Sequence, residues 1–139
     1  MRWLSNGKLK WHCDNSYRID WNRKAPSKIA QTFKDFLYKN FRFNILYEEY
    51  RIPRTLLKID FLDATKKIAY EISGEQHREF NKFFYNNSRS NYLNAIKRDV
   101  KKAKFLELNH YKLLELFEED IKILSVDYLN ERIEELEKL

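Results

Sequence analysis

The sequence predicts an α/β domain: an α-β-β-β-α-β core built on a mixed sheet, with a β-hairpin before it and an amphipathic helix after it. Three observations carry that prediction. Strand-like and helix-like apolar periodicities alternate along the chain in that order. Turn and cap residues (Asp14-Asn15-Ser16, Pro26-Ser27, Ile52-Pro53, Asp63-Ala64-Thr65, Asn86-Asn87-Ser88, Ser125) fall between the periodic stretches. The 139 residues suffice for one domain with a core, and two glycines with two prolines leave little room for a linker.

Residues 8–21 alternate Leu9, Trp11, Cys13 and then Tyr17, Ile19, Trp21 around the turn-prone triplet, which reads as a hairpin. Ser27 is placed to cap a helix ending near Asn40, with Ile29, Phe33, Phe36 and Leu37 at helical spacing. Strands are expected over 43–50, 56–62 and 66–72, the first ended by Pro53, the second and third joined at 63–65, and the third stopped by Gly74. A polar, aromatic loop over 77–87 leads to Ser88, the expected cap of a helix running to about 109. A fourth strand at 111–116 and an amphipathic helix over 125–139, with Leu129, Ile133 and Leu136 in step, complete the order. The expected division is a hairpin extension at 1–24 and a main domain at 25–139.

The charge is uneven. The chain carries 27 Lys and Arg against 21 Asp and Glu, yet residues 111–139 hold 9 of the acids and 4 of the bases. The body is therefore strongly basic, which suits a polyanionic partner, and the tail acidic. Cys13 is the single cysteine, so no disulfide forms within the chain. Met1 to Lys10 lacks the apolar stretch of a signal peptide, and no apolar run approaches the roughly 20 residues of a membrane span. The expectation is an intracellular, cytoplasmic protein with no membrane partner. Its wealth of Lys, Asn, Ile, Tyr and Phe suits an AT-rich viral or bacterial genome.

Two acids stand inside apolar strands: Asp60 in Lys58-Ile59-Asp60-Phe61, and Glu71 in Tyr70-Glu71-Ile72-Ser73. On neighbouring strands such carboxylates repel, and burying either unpaired costs several kcal/mol. A cation must compensate them. Either Mg²⁺ does so, taking one or two carboxylates together with waters and a substrate phosphate, or a salt bridge to Lys58, Lys67 or Arg98 does.

Asp60 and Glu71, with ten residues between them, together with Glu71-Ile72-Ser73-Gly74-Glu75-Gln76-His77, resemble the signature of PD-(D/E)xK nucleases. The similarity is to the branch that contains very-short-patch-repair-like and phage homing endonucleases. Lys97-Arg98-Asp99-Val100-Lys101-Lys102 and Tyr111-Lys112-Leu113-Leu114-Glu115-Leu116 extend it over residues 27–117. The resemblance implies a restriction-endonuclease-like core and a Mg²⁺-dependent DNA endonuclease, with Mn²⁺ able to substitute. Asp60, Glu71 and the Ile72 carbonyl would hold the metal. Gln76 and His77 would face the phosphate at the strand exit, with His77 suited by its intrinsic pKa to proton transfer. Ser73 stands where that superfamily has its lysine, so Lys58 or His77 is a candidate replacement. The first helix reads Ile29-Ala30-Gln31-Thr32 where relatives often carry a glutamate, which leaves Gln31 and Glu49 as auxiliary candidates.

For DNA contact the sequence offers Arg78, Lys82 and Arg89 around the loop and Lys97, Arg98, Lys101, Lys102 and Lys104 on the following helix. Phe83, Phe84 and Tyr85 among them either stack on bases or belong to the core. Cys13 and His12 fall short of the four ligands structural zinc wants, so Trp3, Trp11 and Trp21 are read as a packed cluster or a dimer contact. Beside a nicking or homing-type endonuclease stand two alternatives: a homodimeric Holliday junction resolvase, and a DNA-binding module that kept the fold and lost the chemistry.

Overall fold

The computed structural model describes residues 2–5, 8–11, 15–74 and 89–138, with side chains over 15–74 and 97–138. An N-terminal hairpin pairs β1 (Arg2–Ser5) with β2 (Lys8–Trp11), in the register Ser5 opposite Lys8. After it come α1 (Lys28–Phe41), β3 (Leu46–Arg51), β4 (Lys58–Asp63), β5 (Ile68–Ser73), α2 (Arg89–Leu108), β6 (Lys112–Phe117), α3 (Glu118–Lys122) and α4 (Val126–Glu137).

The expected α-β-β-β-α-β order is present, and so is the mixed sheet. Its strands lie in the order β3-β4-β5-β6. The first two pairings are antiparallel, and β6 lies parallel to β5 after the crossover through α2. One face carries α1, α3 and α4: Phe33 and Leu37 meet Phe61, Tyr70, Leu114 and Leu116, with Ile121 and Leu129 closing the layer. The other face takes Leu106 of α2 against Tyr47, Tyr50, Ile59, Leu62 and Ala69. Ser27 caps α1 by accepting from Ala30 N–H at 3.2 Å, and Ser125 caps α4 by accepting from Tyr128 N–H at 3.1 Å.

The hairpin is not where the alternation put it. Its strands are 2–5 and 8–11, whereas residues 15–25 lie across the core. Asn15–Tyr17 form a 3₁₀ turn, Arg18 bridges to Tyr47, and Ile19 N–H donates to Leu46 O at 3.0 Å. The Tyr17 and Trp21 rings each meet a tyrosine, Tyr50 and Tyr38, at 5.2 Å. Tyr17 packs with the Tyr47–Leu62 cluster while Ile19 and Trp21 join the Phe33–Leu116 cluster, so the spacing reflects a segment that serves both core layers rather than a strand. Of the tryptophan cluster, Trp21 is therefore a core residue, and the side chains of Trp3 and Trp11 lie outside the described residues.

Two further corrections concern acids. Asp63, read as a turn residue, ends β4 fully buried, accepting from Asn44 Nδ2 at 3.0 Å and Lys66 N–H at 2.9 Å. The turn itself spans 64–67, with Lys67 in the left-handed region. Helix α3 is additional to the expected order, and its acids belong to the acidic tail. Of these, Asp120 is buried, accepting from Phe117 N–H at 2.8 Å and pairing with Arg132 at 2.6 Å.

Candidate active site

A kink in the β3–β4 pair builds the site. Tyr47 and Tyr50 pack on the same face although they are three positions apart, and so do Ile59 and Leu62 opposite. Strict alternation forbids this. The break falls at Glu49, whose φ of 48° is left-handed for a non-glycine residue. The register pairs Glu48 with Phe61 and Tyr50 with Ile59, which sets Glu49 across from Asp60.

The kink separates β4 from β5. Their ladder ends at Phe61 opposite Tyr70, one pair short of Asp60 and Glu71. Asp60 fills the gap with its side chain, its Oδ2 accepting from Ile72 N–H at 2.8 Å. Glu71 lies beside it. Lys102, nearly two turns before the end of α2, donates to Glu71 Oε1 at 3.1 Å, and both of these side chains are about four-fifths buried. Burial first, and the Asp60 carboxylate second, push Glu71 up to about 8, against the opposing pull of Lys102. Among the described residues the Lys102 ammonium is the one cation bonded to Glu71, and Glu71 keeps its proton at neutral pH.

Cavities open on both sides of this pair. One, of about 160 Å³, is bounded by Glu71, Ser73, Asp99, Lys102 and Glu115. The other, of about 150 Å³ at the N-terminus of α1, is bounded by Ser27, Glu48, Glu49, Asp60 and Ile72. Among the described residues no three His, Cys, Asp or Glu converge as a metal-holding group. Asp60 and Glu71 nonetheless fit a hard divalent cation: they are adjacent, partly buried, short of cations among the described residues and open to solvent-sized space, and Mg²⁺ keeps several waters beside one or two carboxylates.

The remaining candidates divide. Glu49 joins Asp60 at the cavity. Ser73 is at the other one, donating from Oγ to Glu115 Oε1 at 3.4 Å. Gln31 is engaged elsewhere, accepting from Ala25 N–H at 2.7 Å and donating to Asp35 at 2.9 Å, so it secures the chain entering α1. Lys58 begins β4 as an exposed residue opposite Arg51. The cation on Glu71 is Lys102, rather than Lys58, Lys67 or Arg98. Lys97, Arg98, Lys101 and Lys104 are exposed on α2, whereas Lys102, grouped with them as a phosphate contact, turns inward. Arg89 opens α2 with its side chain outside the described residues. Gln76, His77, Arg78, Lys82, Phe83, Phe84, Tyr85 and the cap Ser88 also lie outside them.

Sequence reasoning missed a second charged cluster. Lys34 and Glu48 are both buried, with Nζ donating to Oε1 at 2.8 Å and also to the Arg23 carbonyl. Arg23 Nη2 adds a bond to the same Glu48 oxygen at 3.1 Å. A signal was available: Lys34 falls four residues after Ala30 and three before Leu37, on the buried stripe of α1.

No protein-family model, curated protein or solved structure matches the chain.

Proposed function

We propose that the protein is a divalent-cation-dependent DNA endonuclease of the PD-(D/E)xK kind, hydrolysing phosphodiester bonds at Asp60 and Glu71. The observation that carries this reading is the carboxylate pair itself, set where β4 and β5 part and met, among the described residues, by a single ammonium. A buried, unbalanced acid pair is costly unless it serves to hold a cation. When bound, a divalent cation there neutralises charge on a scissile phosphate and acidifies the attacking water. Asp60 is held in place by Ile72 N–H, so the Ile72 main chain orients a ligand and its carbonyl is a third. The mixed α-β-β-β-α-β core and the basic face of α2, with Lys97, Arg98, Lys101 and Lys104 outward, support a restriction-endonuclease-like domain laid against the DNA backbone.

The test is incubation with linear, mismatched and four-way-junction DNA in Mg²⁺, Mn²⁺ and EDTA. Cleavage in either metal and none in EDTA is expected. Asp60→Ala and Glu71→Ala should each lower the rate by at least about 10³-fold, the several kcal/mol a metal supplies, while folding and DNA binding persist. Equal cutting by either variant would refute the assignment. Symmetric cuts in junctions alone would indicate a dimeric resolvase. Binding without cleavage would favour the module that lost its chemistry, the reading supported by Ser73 in the lysine position and by Gln31 drawn away to Ala25.

A further inference from the structure

The far end of α1 carries a surface that the acid pair does not use. Phe43 is 90% exposed and Tyr38 is 48% exposed. The Arg42 guanidinium lies between them, 5.2 Å from the Tyr38 ring centroid and 5.1 Å from that of Phe43. A lone exposed phenylalanine is ordinary. Two exposed rings bracketing an arginine are a different matter, because the stack fixes all three planes.

The loop beneath them is fixed too. Asn44 N–H donates to Phe41 O at 2.9 Å, Asn44 Nδ2 to Asp63 at 3.0 Å, and Ile45 N–H to Thr65 Oγ1 at 2.8 Å. These bonds draw the 64–67 turn alongside, where Lys66 Nζ sits 3.9 Å over the Phe41 ring. Arg42 thus lies against both rings, and Lys39, Lys66 and Lys67 belong to the same two segments. Neither 38–45 nor 64–67 contains an acid, and Asp63 between them is buried.

We infer that Tyr38, Arg42 and Phe43 form a stacking platform for an unpaired stretch of DNA strand. Base faces are available to an aromatic ring in a single strand and hidden by neighbours in a duplex, while the cations of these two segments take the phosphates. The inference deepens the endonuclease reading and rests on it for biological sense. Helix α1, with 14 residues, sets the platform about 20 Å from the Asp60 cavity at its other end. The substrate class this spacing suits is duplex DNA with a single-stranded branch or gap beside the cleavage point.

The test is fluorescence anisotropy in EDTA with labelled dT₁₂ and a blunt 12-base-pair duplex, so that no cleavage is needed. Phe43→Ala should weaken dT₁₂ binding about 5- to 150-fold, the range contributed by one stacked base, and leave the duplex within about twofold. Phe43→Trp should restore it. Arg42→Gln should also reduce the salt slope on dT₁₂ by about 0.7. Unchanged dT₁₂ binding in Phe43→Ala, or equal losses on both probes, overturns the platform. So does a concentration-dependent dimer that Phe43→Ala dissolves, since the rings would then face a second copy. A protein that binds dT₁₂ through Phe43 yet cuts no DNA would fail the endonuclease reading alone.

Discussion

Two charged clusters sit on the same sheet, and they differ in charge balance. At Glu48, one buried carboxylate receives Lys34 from α1 and Arg23 from the segment before it. At Glu71, two carboxylates face one lysine among the described residues, and the excess negative charge is met by a retained proton. The first arrangement ties α1 and residues 15–25 to β3. The second leaves affinity for a cation unspent. Charge neutralised by cations builds architecture here, and charge left in excess marks the candidate site.

The sharpest way to break this comparison is to unbalance the balanced cluster. Lys34→Met strands Glu48 in a site where it is 2% exposed. Loss of one partner of a buried pair typically costs about 3–5 kcal/mol. Arg23 still reaches the same oxygen, which places the expected loss near the lower figure, a fall in Tm of about 10 °C. Adding Glu48→Leu should recover most of it, because a well-packed apolar replacement restores the balance. A Tm unaffected by Lys34→Met would show that the cluster is not structural. Cleavage by the folded variant should be nearly unchanged.

The converse change is Lys102→Met. Stability should alter little, since Glu71 can hold its proton more firmly. Cleavage should fall about 10²–10³-fold, as when one aligned electrostatic donor is removed, with the loss in kcat rather than KM. Ser73→Lys placed in that background returns an ammonium to the same 160 Å³ cavity and should recover part of the rate. A loss confined to KM would make Lys102 a phosphate contact only.

The pH dependence of stability follows from Glu71. Between the ordinary carboxylate range and about 8, the folded chain keeps a proton that the unfolded chain has released. Its stabilising contribution is therefore full at low pH and is lost as pH rises toward 8, at up to about 1.4 kcal/mol per pH unit. In EDTA, urea melts of the parent should show this decline between pH 5 and 8, and Glu71→Gln should flatten it. A parent that gains stability over that window would mean that Glu71 titrates as an ordinary carboxylate.

How much of this was legible beforehand depends on whether the information is local. Ser27 announced its helix because a cap needs a hydroxyl followed by periodic apolar residues, and both are visible within one turn. The strand order was legible from β-length apolar runs around Pro53, residues 63–65 and Gly74. Alternation misplaces the hairpin because Tyr17, Ile19 and Trp21 alternate for a tertiary reason, whereas the Asn6-Gly7 dipeptide is of the kind two-residue hairpin loops favour. Asp60 and Glu71 stood out as acids within apolar strands. Lys102 did not, because Lys97, Arg98, Lys101, Lys102 and Lys104 are alike in sequence, and the packing of α2 on the sheet decides which one turns inward. The kink at Glu49 had no sequence signature, since a left-handed glutamate is imposed by the strands around it.

That same ambiguity frames the smallest expected effect. The exposed lysines of α2 are read as phosphate contacts, and the inward Lys102 is not. Charge neutralisation at Lys97 or Lys101 should then lower the salt dependence of duplex binding by about 0.9 on a log–log slope for each true contact. Lys102→Met should leave the slope nearly unchanged, because its ammonium is committed to Glu71 at 3.1 Å. Binding isotherms from 50 to 200 mM salt, measured in EDTA, separate the two cases. If Lys102→Met lowers the slope as much as Lys101→Gln does, the lysine leaves Glu71 when DNA arrives. The contrast between outward and inward cations on α2 would then hold for the free protein alone.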